Sequence, residues 1–208
     1  VYIQITTRCN MECPHCCYAC TAKGEDMSLK TFKQALELVE DSGSTVCIGG
    51  GEPTLHPKFW DFIVLALGNE YIECVWMATN GKKTESALRL AAMAKKGILS
   101  VALSQDSYHE PIEEKVIEAF KVDPRRQHDR DFREIRNVDD HVIKAGRAET
   151  EQEWQRENDC VCNELFVDPK GNIWRCGCKE ELLGHVSTGY DMNSDYRSCS
   201  KEEKEEDE

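Results

Sequence analysis

The chain has 208 residues, of which 40% are apolar and 31% charged, with a net charge of −13. That composition supports a cored domain and argues against global disorder. No apolar run is long enough for a membrane-spanning helix. The acidic balance disfavours general nucleic-acid binding, which needs clustered cations. The last eight residues, 201–208, hold two lysines and six acids and read as a solvated, disordered tail.

The chain opens in a strand, Val1 to Ile5, without the basic and apolar regions of a signal peptide. A few residues are expected to precede it. Ser28 caps a helix carrying Leu29, Phe32, Leu36 and Val39, which Gly43 ends. Thr45 to Ile48 is a strand that stops at Gly49-Gly50-Gly51. Pro57 opens a helix with Phe59, Phe62, Ile63 and Ala66. Ile72 to Ala78 is a third strand, and Thr84 opens a helix with Leu88, Ala91, Met93 and Ala94. Ile98 to Leu103 is a fourth strand, followed by a helix from Pro111 through Phe120. Phe132 to Val138 is a marginal strand and His141 to Ala145 a better one. Repeated strand–helix units predict a parallel sheet, buried on both faces. Leu165 to Trp174 reads as a β-hairpin turning at Asp168-Pro169-Lys170-Gly171.

Twelve cysteines fall in two main groups, at 9, 13, 16, 17 and 20 and at 160, 162, 176, 178 and 199. Cys47 and Cys74 lie within strands and read as core. Clustering without a secretory signal favours metal ligation over disulfides. Cys9-x3-Cys13-x2-Cys16 directly follows the first strand. Three thiolates on one loop can hold three irons of a [4Fe–4S] cubane and leave the fourth iron open to substrate. A zinc ribbon is the poorer reading, because its pairs stand roughly 15–20 residues apart and here they abut.

The three-cysteine loop, with Gly50-Gly51-Glu52-Pro53 after the second strand, resembles the signature of the radical S-adenosylmethionine (SAM) superfamily. Thr79-Asn80-Gly81 and Ser104-Gln105-Asp106 resemble its later motifs. The resemblance covers about residues 1–148 and implies an α/β fold, a partial (β/α)6 TIM-like barrel. It implies that Cys9, Cys13 and Cys16 bind a catalytic [4Fe–4S] cluster whose open iron chelates the methionyl group of SAM. Gly50, Gly51 and Glu52 would accept from the SAM amine, with Pro53 stiffening the turn. Ser104 or Asp106 would bind the ribose, and Asn80 the ribose or carboxylate. The adenine would rest near His15, which stands where the family usually has an aromatic residue, and on Val142 and Ile143.

Residues 149–200 resemble the SPASM or shorter twitch extensions of that superfamily. Gly146-Arg147-Ala148 is similar to the segment that precedes them. Cys160-x10-Gly171-x4-Cys176 is similar to their opening. The resemblance implies an auxiliary iron–sulfur cluster on Cys160, Cys176 and Cys178, with Cys199 or Cys162 as fourth ligand. A structural zinc is the alternative.

The implied enzyme is cytoplasmic and uses a low-potential flavodoxin- or ferredoxin-like electron donor. Its chemistry is hydrogen abstraction from a peptide, a protein, a nucleoside or another small molecule, or activation of a glycyl-radical enzyme. A non-catalytic iron–sulfur carrier, with Cys17 or Cys20 as fourth ligand, and a zinc-stabilised interaction module are the readings of another class. Otherwise Cys17 and Cys20 are packing thiols or serve catalysis or cluster repair. His109, beside Tyr108 and Glu110, is a substrate contact, an acid/base or a satisfied loop histidine. Arg125, Arg126, Arg130, Arg133 and Arg136, interleaved with acids, read as a solvated face.

Overall fold

The computed structural model describes residues 1–39, 44–122, 130–137, 142, 145–150 and 164–191. Five strands run parallel in chain order: β1 (Tyr2–Thr6), β2 (Thr45–Gly50), β3 (Cys74–Thr79), β4 (Ser100–Ser104) and β5 (Arg133–Arg136). Between them lie α1 (Leu29–Glu37), α2 (Phe59–Leu67), α3 (Thr84–Lys95) and α4 (Glu114–Phe120). Ser28 caps α1 by accepting from the Thr31 amide at 3.0 Å. Helix α4 begins at Glu114 rather than Pro111, and α2 at Phe59 rather than Pro57. Gly43, the expected stop of α1, lies outside the described residues.

Strand β3 alternates strictly: Val75, Met77 and Thr79 are buried, while Cys74, Trp76 and Ala78 are half-buried. Val75 and Met77 join Ile3, Ile48, Val101 and Leu103 in one core with Phe32, Phe62, Leu90 and Val116 from the helices. Strands β1 and β4 are buried at consecutive positions, Ile3 to Thr6 and Val101 to Leu103, as expected for burial on both faces, whereas β3 is half-buried on the face away from the helices. Cys47 and Cys74, expected in the core, are half-buried.

The marginal strand is real. Edge strand β5 pairs with β4 from Val101↔Arg133 to Ser104↔Arg136. The expected strand at His141–Ala145 falls mostly outside the described residues; Val142 and Ala145, which are described, are not in a strand. The next parallel strand, β6 (Phe166–Val167), pairs with β1 on the side away from β2. It starts an antiparallel run through β7 (Asn172–Trp174), β8 (Leu182–His185) and β9 (Gly189–Tyr190). Among the described residues the result is an open α/β sheet of order β5-β4-β3-β2-β1-β6-β7-β8-β9. The hairpin turn forms as expected. Asp168 accepts from the Lys170 and Asn172 amides, Asn172 Nδ2 and Trp174 Nε1 at 2.8–3.0 Å.

Phe32 of α1 and Phe62 of α2 stack at 4.2 Å between ring centroids, 6° from coplanar, and both are fully buried. They lock two helices over the strands that position the cysteine loop. Phe62→Ala is expected to cost about 3–5 kcal/mol of stability, measured by denaturant unfolding of the iron-free protein. Phe62→Leu should cost less, because it leaves a smaller cavity.

Candidate active site

The cysteine loop leaves β1 at Thr6 and returns beside it. Its neck is closed by Cys9 N donating to Thr21 O at 2.8 Å and Thr7 N donating to Glu25 O at 2.9 Å. Arg8 ties the neck to both sides, pairing with Asp26 and donating to Leu55 O at 2.9 Å. Gly51 N and Glu52 N donate to Thr6 O and Arg8 O at 3.0 and 2.8 Å, so the β2 exit lies directly under the loop. A Cβ at Gly51 would stand 2.4 Å from Arg8 O and 2.9 Å from Cys9 Cβ. No larger residue fits without moving the backbone, so glycine makes room here for the loop itself.

Glu52 is completely buried. Its Oε1 accepts from Thr54 N, Thr54 Oγ1 and Thr79 Oγ1 at 3.1, 2.5 and 2.9 Å, and its Oε2 from Asn80 N at 2.7 Å. Burial pushes its pKa up against the pull of these four donors. The carboxylate is thus a strut between the β2 and β3 exits, and most of its acceptor capacity is already taken. Asn80, also buried, donates from Nδ2 to Cys9 Sγ at 3.7 Å and to Asn10 Oδ1 at 2.9 Å. Its side chain is turned toward the cysteine loop.

A cavity of about 420 Å³ opens on the helix-free side of the sheet. Cys9, Cys13 and Cys16 line it together with His15, Gly50, Gly51, Pro53, Asn80, Ser104 and Val142. Asp106 is not on this wall. Its carboxylate sits behind the imidazoles, with Oδ1 accepting from His109 Nδ1 at 2.6 Å and from the Tyr108 and His109 amides. Oδ2 is buried, makes no hydrogen bond among the described residues, and lies 3.8 Å from His15 Nε2. Of Ser104 and Asp106, the alternatives expected at the ribose, half-buried Ser104 is the one on the cavity wall. His15 packs against Tyr108 and His109 at 4.9 and 5.0 Å between ring centroids, giving the cavity an aromatic wall. His109 is held by Asp106 and lines the cavity, so it is both satisfied and accessible. Ile143 lies outside the described residues.

The far wall holds residues that sequence reasoning missed: Tyr2, Trp76, Glu164 and Phe166. Strand alternation was the available signal for Tyr2 and Trp76. Arg130 and Arg136 are exposed, as expected, although Arg136 also borders the cavity; Arg133 departs from that reading, being engaged by Asp131 and Ala119 O. Arg125 and Arg126 lie outside the described residues. So do Cys160, Cys162 and Cys199. Cys176 is buried, and Cys178 lines a second cavity of about 440 Å³ with Cys17, Gly146 and Lys179.

The three loop thiols differ sharply. Cys16 is drawn down to about 5, first by a hydrogen bond from the Cys20 thiol, against desolvation, and further by the Cys20 and Tyr18 amides and by Arg147. Cys13 is pushed up to about 11 by burial and by the charges of Cys9 and Cys16, and burial also raises Cys9. In iron-free protein at pH 6.5, iodoacetamide should label Cys16 before Cys9 or Cys13, as peptide mapping would show. Its rate should rise through pH 5 and level off, while Cys13 labelling still climbs above pH 9. Equal labelling of the three would contradict this electrostatic picture. Glu52→Gln places an amide against four donors and should cost about 1–3 kcal/mol in denaturant unfolding.

The donor set fits an iron–sulfur cluster and SAM. Three thiols share one cavity wall beside two glycines and a strand-end serine. The chain is 30% identical over 136 residues to a 7,8-dihydro-6-hydroxymethylpterin dimethyltransferase of Methanocaldococcus jannaschii, covering 57% of this chain and 27% of that protein. It is 34% identical over 95 residues to the mycofactocin maturase MftC of Mycobacterium ulcerans, covering 43% and 25%. The chain thus spans roughly a quarter of the length of these relatives. Its fold is similar to that of BtrN, crystallised with AdoMet and 2-DOIA, with a TM-score of 0.63 and 18% identity over 91% of this chain and 78% of that one. Residues 3–142 match the radical SAM superfamily, and the chain belongs to that superfamily.

Proposed function

We propose that this chain is a radical SAM enzyme that abstracts hydrogen from a peptide or protein substrate, in the manner of a maturase. The observation that carries the radical step is the convergence of Cys9, Cys13 and Cys16 on one cavity with the β2 and β4 exits. Cys9, Cys13 and Cys16 would hold a [4Fe–4S] cluster, which would supply the electron for reductive cleavage of SAM. The chain's own residues do the rest. Gly50 and Gly51 present backbone to the methionyl amine, and Ser104 takes a ribose hydroxyl. Asn80 and Glu52 hold the loop against the strand ends. His15 and Val142 flank the adenine. Tyr2, Trp76 and Arg136 face the remaining space, where substrate lies.

The likeness to a maturase supports the peptide reading. A small-molecule substrate is the second reading, supported by a cavity in the usual size range for such ligands and by the likeness to a pterin dimethyltransferase. We read Cys176 and Cys178, with Cys160 and Cys199 or Cys162, as ligands of an auxiliary cluster in a twitch-like extension from residue 149. A low-potential flavodoxin- or ferredoxin-like protein is the proposed electron donor. No helix among the described residues is long and apolar enough to cross a membrane.

Anaerobically reconstituted protein, given SAM and dithionite, should release 5′-deoxyadenosine, detected by mass spectrometry. Changing Cys9, Cys13 and Cys16 to Ala together should abolish it. Iron analysis of the wild type should give about eight irons per chain if the auxiliary site is filled, and about four if it holds zinc. An intact, iron-loaded protein that neither cleaves nor binds SAM would end the proposal.

A further inference from the structure

We propose that Arg147 is a positioning residue for the radical cluster, clamping the cysteine loop from a segment more than a hundred positions away. This rests on the iron–sulfur reading of the loop.

Arg147 Nη1 donates to Cys13 O at 2.6 Å and Nη2 to Cys20 O at 2.7 Å. Its backbone N–H donates to Cys16 O at 3.0 Å. One residue thus holds three carbonyls of the loop that carries the ligands. Within that stretch the loop's own backbone–backbone bonds are two short turns, Cys16 N to Cys13 O and Ala19 N to Cys16 O, both 3.2 Å, with Cys20 N donating to Cys16 Sγ at 3.4 Å. A planar guanidinium can bridge two carbonyls at fixed separation; an ammonium presents one point.

The flanking residues fit the same purpose. Gly146 has φ +60, and a Cβ there would meet Cys17 O at 2.4 Å and Cys16 O at 2.9 Å. The strap can lie on the loop only because position 146 has no side chain. Ala148 is fully buried and anchors the other side, while Thr150 Oγ1 closes the 3₁₀ turn onto Arg147 O at 2.9 Å. The guanidinium is also a permanent positive charge beside the ligand thiols. It offsets the negative charge of a thiolate-bound cluster and favours the reduced state.

The test compares wild type with Arg147→Met, Arg147→Lys and Gly146→Ala in the full chain. Three readouts apply: iron loss to a ferrous chelator, midpoint potential by EPR-monitored titration, and hydrogen exchange of the amides at 13–20 in iron-free protein. Arg147→Met should lose iron about tenfold faster or more, show a lower potential, and exchange the Cys16 and Ala19 amides faster. Arg147→Lys should keep a potential near wild type while losing iron like the Met variant. Gly146→Ala should also lose iron faster although the arginine is present.

Wild-type iron retention and exchange in Arg147→Met would overturn the clamp. If that variant does not fold, Arg147→Lys and Gly146→Ala decide the matter by the same readouts. If the wild type takes up no iron, the functional reading falls. Loop exchange in the iron-free variants then still supports or rejects the clamp.

Discussion

The loop that carries Cys9, Cys13 and Cys16 has no hydrogen-bond ladder of its own, so its shape must be imposed from outside. Here the imposing contacts come from strand exits that the parallel sheet brings together. The β2 exit lies under the loop through two backbone bonds, and Arg8 spans to Leu55 and Asp26. Glu52, fully buried, then links β2 to β3 by accepting from Thr79 and Asn80, while two further bonds from Thr54 fix its carboxylate. An ionised carboxylate in such a place is costly unless its acceptors are met, and met acceptors make the junction rigid. The glycines, the glutamate and the cysteine loop therefore form one mechanical unit.

The electrostatics around this unit run against the chain as a whole. The protein is strongly acidic, yet Arg136, Arg147 and Lys179 gather near the loop thiols. Lys179 adopts φ +56, lies over the Phe166 ring at 4.9 Å and donates to the buried Gln4 at 2.8 Å. Burial lowers its pKa, against the pull of Asp168 and of Cys20 and Cys17. These cations come from β5 and from segments after it. The C-terminal part of the chain thus sets the surroundings of a loop near the N-terminus.

The strand–helix alternation of the first 120 residues is legible because it rests on local apolar spacing. Strand β5 is only marginal, because Arg133 to Arg136 forms an edge with little to bury; its pairing with β4 is a tertiary fact. The placement of β6 against β1 is equally non-local, since apolar pattern names a strand and not its partner. At the site, the residues of the cysteine and glycine motifs meet on one cavity. The direction of each side chain is another matter. Glu52 and Asn80 are spent on the protein, and Asp106 lies behind His15 and His109, because hydrogen-bond partners are chosen in three dimensions. The grip of Arg147 on Cys13 and Cys20 has no local signature at all.

The central claim is that three thiols bind the cluster and leave one iron open to SAM, with Cys17 and Cys20 not completing the set. EPR of the reduced, reconstituted Cys17→Ser/Cys20→Ser protein, recorded with and without SAM, tests it most directly. The account predicts that the double variant keeps the first cluster and that SAM changes its spectrum as it does in wild type. Loss of that cluster in the variant, with a wild-type spectrum indifferent to SAM, would show a closed four-cysteine site and contradict the account.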